Sequence, residues 1–220
     1  AGALALGIIY TIGPYLLPDL VRQMIARTPQ MPLMLQENFT ARLLDMLRTG
    51  EIDCAILAEP FPDAGLAVAA LYDEPFMAVV PANHALAAKT QVSSEELKHE
   101  NLLLLGSGHC FRDHVLEVCP EFARFSSNAE GIRKSFAGSS LETMKHMVAA
   151  GMGVTLVPRL SVPKEALVAK PKRQHDEDRY VRYLPVVDSD GGQPPTRRVV
   201  LAWRRSFTRY EAIAALRNAI

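Results

Sequence analysis

The chain has 220 residues, 49% of them hydrophobic, and its 24 Lys and Arg balance 24 Asp and Glu. This length and apolar content suffice for a sizeable core, in one domain or two small ones. The zero net charge gives no electrostatic signature for binding nucleic acid or anionic lipid. Three cysteines are too few for a disulfide scaffold, and their odd number leaves at least one thiol unpaired, which is typical of a reducing compartment.

The first part of the chain alternates strand and helix patterns. Short apolar runs predict buried strands at 4–10, 32–38 and 53–59. The opening run has no basic segment before it and is interpreted as a strand, not a secretory leader, of a chain expected to be a piece of a longer protein. Two amphipathic helices are predicted between the strands, with core-facing residues Leu17, Leu20, Val21, Met24 and Ile25 after Pro14, and Leu43, Leu44 and Leu47 before Gly50.

A second set of alternating patterns begins near Glu74. It predicts strands at 75–82, 101–106, 132–138 and 153–158, with helices after Ser93 and Ser139 that open on capping boxes. A charged crossing at 170–180 precedes strands at 180–187 and 197–203 and a last helix. Such alternation predicts an α/β fold of βαβ units with parallel sheets, in two similar halves, with ligands at the carboxyl ends of strands. The last helix is marked by Phe207, Tyr210, Ile213 and Leu216.

The segment 106–120, GSGHCFRDHVLEVCP, combines a glycine-containing turn with a helix pattern. Cys110 falls in the first turn of that helix, where unpaired backbone N–H groups and the positive end of the helix dipole favour a thiolate. With His109 and Arg112 beside it, the pKa of Cys110 is expected to be lowered, as in reactive cysteines. The alternative, a small buried apolar residue at a helix start, remains open at this point.

Cys119 lies nine residues after Cys110. On a continuous helix this spacing separates the residues by about 13.5 Å and about 900° of rotation, whereas a disulfide requires Cα atoms roughly 4.4–6.8 Å apart. A helix and a Cys110–Cys119 disulfide therefore exclude each other, which predicts an element with two redox-dependent states. The Cys110–Cys119 spacing does not fit the usual pattern of zinc ligands. A static disulfide would need an oxidising compartment. The third cysteine, Cys54, is expected to be an unreactive core residue.

Three phrases, TIGPYLLPDLVRQM, LLDMLRTGEIDCAIL and MVAAGMGVTLVP, resemble the effector-binding domain of LysR-type transcriptional regulators. GHCFRDHVLEVC resembles the peroxide-sensing members of that family, which carry Gly-His-Cys-x-Arg-Asp and a second cysteine nine residues after the first. The resemblance implies a periplasmic-binding-protein-like α/β fold of two Rossmann-like subdomains joined by two crossovers. Subdomain I would comprise 1–75 and 180–220, and subdomain II would comprise 76–179 with the redox cysteines; the family's N-terminal winged helix-turn-helix is expected to be absent from this fragment.

The resemblance also assigns expected roles to individual residues. Cys110 matches the peroxide-reactive cysteine and Cys119 its resolving partner. Two alternatives stay open: helix capping or turn formation for Thr11 and Thr40, and local salt bridging for His109, Arg112 and Asp113. Two departures concern the segment after Cys119, which is longer than expected, and Ser135, which replaces an expected histidine. The remaining matches are Thr11, Thr40 and Gly108 in the peroxide pocket, and His109, Arg112 and Asp113 beside the reactive thiol.

The expected function is hydrogen-peroxide sensing by a transcriptional activator under oxidative stress, through a reversible Cys110–Cys119 disulfide. Expected partners are a second copy of the chain, a tetramer and RNA polymerase for the full-length protein, DNA through the missing domain, and glutaredoxin or thioredoxin as reductant. No cofactor, metal or membrane contact is expected, the location is expected to be cytoplasmic, and the protein is expected not to be an enzyme. A small-molecule effector domain with incidental cysteines and a two-cysteine thiol peroxidase are the alternatives.

Overall fold

The computed structural model describes residues 2–121, 138–167, 180–190 and 192–220. Four predictions lie outside the described residues: the strand at 132–138 (apart from Gly138), the replacement at Ser135, most of the longer segment after Cys119, and the crossing at 170–179. In chain order the described strands and longer helices are β1 (Leu4–Ile9), α1 (Gly13–Arg27), β2 (Leu33–Asn38), α2 (Thr40–Thr49), β3 (Cys54–Ala58), β4 (Leu66–Pro81), β5 (Val92–Ser93), α3 (Ser94–Leu97), α4 (Cys110–Val118), α5 (Leu141–Ala149), β6 (Thr155–Pro158), β7 (Val181–Val187), β8 (Thr196–Arg204) and α6 (Tyr210–Ala219).

The chain divides into two compact units. Unit 1 comprises Ala1–Asp73 and Arg197–Ile220, and unit 2 comprises Glu74–Thr196, so the chain crosses twice. The second boundary differs from the expected 179/180, because β7 pairs with β4 at Met77–Pro185 and with β5 at Val92–Val186, both in unit 2. The first boundary moves by two residues, from 75/76 to 73/74.

Unit 1 is built on a sheet in the order β2-β1-β3-β8, with β8 next to β4. β1 pairs in parallel with β2 and β3, and β8 returns antiparallel to β3. The last strand therefore returns to the sheet that the first strands of the chain form. α6 packs on α1, and Arg27 Nη1 donates to the carbonyl of Asn218 at 3.0 Å. The core of unit 1 includes fully buried Leu4, Leu6 and Ile8.

Unit 2 is built around the second half of β4. This half pairs antiparallel with β6 and β7, and β7 pairs in parallel with β5. The capping box of Ser93 and Glu96 opens α3 as predicted. α5 begins one residue later than expected, since Ser140, not Ser139, accepts the capping hydrogen bond from the backbone N–H of Thr143. The segment 101–106, predicted as a strand, forms isolated bridges at Leu102 and Leu105 and no longer ladder among the described residues.

Three predictions about the elements are corrected by the structure. The sheets are mixed and not parallel, because β6 and β7 run antiparallel to β4 and β8 runs antiparallel to β3. β4 begins at Leu66, nine residues before the predicted strand. The core face of α1 is Gly13, Leu16, Leu20 and Met24, whereas Ile25 is 67% exposed. Among the described helices, none combines the length and the apolar composition needed to cross a membrane.

Candidate functional site

The turn at 106–109 places Cys110 at the first residue of α4. Gly108 has φ +99°, a left-handed conformation that glycine adopts without strain, and the turn is closed where the N–H of His109 approaches the carbonyl of Gly106. His109 is the N-cap in extended conformation, and its side chain makes no capping hydrogen bond. The predicted position of Cys110 in a helix's first turn is therefore confirmed, and the positive end of the helix dipole there favours a thiolate.

Two of the predicted neighbours of Cys110 have defined surroundings. Arg112 Nη1 donates to the carbonyl of Leu105 at 2.8 Å, which fixes the guanidinium beside the turn. His109 is 9% exposed, and burial lowers its pKa. The imidazole is therefore neutral near pH 7 and can donate a hydrogen bond without adding a positive charge. Asp113 lies exposed in the first turn of α4.

Cys119 closes the other end of α4 as its C-cap, with its N–H bonded to the carbonyl of Val115 at 2.9 Å. Burial and, to a smaller extent, the charge of Glu121 raise the pKa of Cys119 to about 12. None of Cys110, Cys119 and Cys54 is in a disulfide. In this helical form the two thiols of α4 are held apart, and Cys119 remains protonated.

Thr11 and Thr40 lie in unit 1, where each follows a strand of a parallel pair. Ile9 of β1 pairs with Asn38 of β2, and each threonine follows this pair by two residues, at the carboxyl edge of the two strands. Neither threonine caps a helix: the N-cap of α1 is Ile12 and that of α2 is Phe39. The capping alternative is therefore not what the structure shows. The Thr40 hydroxyl oxygen is buried with no hydrogen-bond partner among the described residues.

Arg197 is a residue of this region that the sequence reasoning missed. It is 2% exposed; its Nη1 donates to Thr11 Oγ1 at 2.8 Å and its Nη2 to the Thr11 carbonyl at 3.3 Å. Because the guanidinium can only donate, the hydroxyl of Thr11 accepts from it and keeps its own hydrogen for another acceptor. The sequence does hold a signal: two successive arginines open a strand, so one of them must face inward.

The structure thus groups the predicted residues into two sets. Gly108, His109, Cys110, Arg112 and Asp113 surround the start of α4 in unit 2, and Thr11 and Thr40 share the carboxyl edge of β1 and β2 in unit 1. Cys54 is fully buried in β3, and burial raises its pKa to about 12, as suits inert core. Within the described ranges, no three His, Cys, Asp or Glu side chains are placed to hold a metal ion.

A two-unit α/β fold with polar residues at strand ends is typical of substrate-binding domains. The chain belongs to the LysR substrate-binding domain family, whose model matches residues 1–220. The chain is 36% identical over 223 residues to the "Probable hydrogen peroxide-inducible genes activator" of Streptomyces viridosporus, covering 100% of this chain and 66% of that protein. It therefore spans about two thirds of the length of the curated relatives that it matches.

Solved structures of OxyR are similar over nearly the whole chain. A reduced form of OxyR from N. meningitidis has a TM-score of 0.85 and 38% identity, covering 99% of this chain and 93% of that one. The reduced OxyR regulatory domain from Pseudomonas aeruginosa has a TM-score of 0.81 and 42% identity, covering 100% and 94%. The periplasmic-binding-protein-like α/β fold predicted from the sequence is thereby confirmed.

Proposed function

We propose that this chain is the peroxide-sensing regulatory domain of a transcriptional activator that responds to oxidative stress. The observation that carries the proposal is the placement of Cys110 at the first residue of α4, with Cys119 at the other end of the same helix. The names of the relatives, a hydrogen-peroxide-inducible activator and OxyR, support the same sensor class.

The proposed chemistry has two balanced steps. The Cys110 thiolate attacks one oxygen of H2O2, the O–O bond breaks, and Cys110 sulfenic acid and hydroxide form; hydroxide takes a proton to become water. The Cys119 thiol then attacks the sulfenic sulfur, which gives the Cys110–Cys119 disulfide and a second water. Arg112 and the start of α4 stabilise the thiolate and the departing hydroxide. His109 donates a hydrogen bond. The carboxylate of Asp113 offsets part of the positive charge in the first turn. Thr11 and Thr40 in unit 1 and, separately, the backbone at Gly108 in unit 2 are each candidates to hydrogen-bond peroxide.

The second step requires α4 to unwind, because its helical form separates the two thiols. Phe111 is 1% exposed and stacks on Phe76 of β4, with ring centroids 5.5 Å apart, so unwinding withdraws a core contact. In the full-length protein, which we place in the cytoplasm, this remodelling would alter a homodimer or tetramer. The change would reposition the DNA-binding domains and so alter the contact with RNA polymerase. Because a thiol reductant such as glutaredoxin or thioredoxin must restore Cys110, the domain acts stoichiometrically and not as a turnover enzyme.

The test is a peptide map of the reduced protein after about one equivalent of H2O2, with thiols blocked before digestion. We expect a cross-linked Cys110–Cys119 peptide, its absence in Cys110→Ser, and Cys54 recovered as a blocked thiol in both proteins. Cys54 is the internal control, because it is fully buried with a raised pKa. Unmodified Cys110 at this dose would overturn the proposal in favour of a small-molecule effector domain. Sustained peroxide consumption with a thioredoxin system would favour a thiol peroxidase.

A further inference from the structure

The residues that lead into β1 are held by an arginine from near the end of the chain. Arg209 Nη1 donates to the carbonyl oxygen of Ala3 at 2.8 Å, and its Nη2 donates to that of Gly2 at 2.7 Å. All three residues lie in unit 1. Because the guanidinium is a planar fork and its hydrogen bonds are charge-assisted, binding two successive carbonyls fixes the orientation of the backbone as well as its position. We call Arg209 with these two carbonyls the Arg209 clamp.

The peptide groups that follow the clamp are fixed as well. The peptide group between Ala3 and Leu4 is bonded on both sides, because its oxygen accepts from the clamp and its N–H donates to the carbonyl of Pro32 at 2.9 Å. The N–H of Ala5 donates to Asp53 Oδ2 at 2.8 Å. The entry to β1 is therefore bonded to three separate parts of unit 1, which lie just before β2, β3 and α6.

The arginine stands on a well-packed helix. Arg209 is the N-cap residue of α6, but its side chain makes no capping hydrogen bond. Three residues of α6, Ala212, Ile213 and Leu216, are buried, and the helix packs on α1. A substitution of the Arg209 side chain therefore removes the clamp and leaves the start of α6 and its core contacts in place.

The clamp contributes little to the core of unit 1. Gly2 and Ala3 are both exposed, and neither has a large apolar side chain to bury. A solvent-exposed hydrogen bond adds only modestly to the free energy of unfolding, but exposed residues ahead of a first strand fray unless a partner ties them down. The main effect of Arg209 is thus on the direction in which the backbone enters β1.

We propose that the Arg209 clamp is the rigid connection through which this domain controls the segment that precedes it in the full-length protein. The inference rests on the proposed function, in which remodelling of the domain repositions DNA-binding domains; the chain spans about two thirds of the length of its curated relatives. A flexible linker lets two domains reorient independently, whereas a rigid element carries a reorientation from one to the other. Arg209 is therefore a positioning residue for signal output and has no part in the oxidation of Cys110.

The experiment separates output from sensing in the full-length protein, in host cells exposed to H2O2. Sensing is the yield of the Cys110–Cys119 disulfide by peptide map. Output is the transcript of a gene whose peroxide induction is lost when the gene for this protein is deleted. We expect Arg209→Gln to lower the induction about tenfold and to change the disulfide yield by less than about twofold. Arg209→Lys, which keeps the charge but loses the fork, should give an intermediate induction.

A matched control and a local measurement accompany this comparison. Arg217→Gln makes the same change at an exposed position of α6 and should leave both readouts as they are. In the regulatory domain itself, Arg209→Gln should speed hydrogen exchange at the N–H of Leu4, because the peptide group loses its second bond. Exchange at the N–H of Ile213 in α6 should not change.

Each outcome decides the inference. Full induction in Arg209→Gln, with Leu4 exchange accelerated, would show that output does not need the clamp and would overturn the inference. A parallel fall of disulfide yield and induction, with faster exchange throughout unit 1, would show a merely structural role and overturn it too. If Arg209→Gln does not accumulate in cells, Arg209→Lys takes its place, with a smaller fall expected. A parent protein that forms no disulfide overturns the proposed function instead, and that result is visible before any variant is made.

Discussion

At the scale of single residues, two adjacent arginines at the start of β8 have opposite surroundings. Arg197 is buried and bonds both Thr11 Oγ1 and the Thr11 carbonyl, whereas the side chain of Arg198 is 54% exposed and pairs with Asp73 at 3.0 Å. Lysine lacks the planar fork that reaches two acceptors at once. We expect Arg197→Lys to lower the free energy of unfolding by about 2 kcal/mol and to slow Cys110 oxidation, as measured by urea denaturation and stopped-flow kinetics.

Arg198→Lys is the matched control for this prediction. The exposed pair with Asp73 is screened by solvent, so the same substitution one residue later should change stability by less than about 0.5 kcal/mol and leave the peroxide rate unaltered. Equal effects at both positions would show that the Arg197–Thr11 bonds are not what positions the threonine.

At the scale of elements, α4 is the part whose conformation opposes the disulfide. Its helical form is stabilised by Phe111, which stacks on Phe76. Phe111→Leu removes that ring contact from the helical state alone, a loss of about 1–1.5 kcal/mol, so the unwound state becomes more populated. We expect the disulfide step to accelerate by up to about tenfold, with the first step unchanged; trapping the sulfenic acid with dimedone separates the two rates. Glu117→Gln, an exposed change on the same helix, should leave both rates as they are.

The elements also show which features a sequence can predict. The turn before Cys110 and both ends of α4 were predictable, because a glycine, a helix pattern and a proline mark them within fifteen residues. The Arg197–Thr11 bonds were not, because 186 residues separate the partners. Strand direction was missed because apolar periodicity is the same in parallel and antiparallel strands. The face of α1 was misassigned because Leu17 and Val21 line an open groove with Glu37 instead of the core.

At the scale of the whole molecule, burial sorts the three thiols by reactivity. Cys54 in unit 1 and Cys119 in unit 2 both have a pKa raised to about 12 by burial, and only Cys110 starts a helix. Raising a thiol pKa by about three units lowers its thiolate fraction near neutral pH about a thousandfold. In the proposed mechanism this difference directs an oxidant to Cys110 and not to the two buried thiols, and Cys119 reacts only once α4 unwinds.

The same burial makes stability fall in alkaline solution. The unfolded chain loses the Cys54 proton near pH 9, whereas the folded protein keeps it until about pH 12, so between these values the unfolded state binds fewer protons and rising pH favours it. This thiol alone removes about 1.4 kcal/mol of unfolding free energy per pH unit in that window. Urea denaturation under reducing conditions from pH 8 to 10 should therefore give a shallower decline for Cys54→Ala than for the parent protein. Below pH 8 the difference between the two proteins reflects packing and should be constant, and parallel curves above pH 9 would contradict the raised pKa of Cys54.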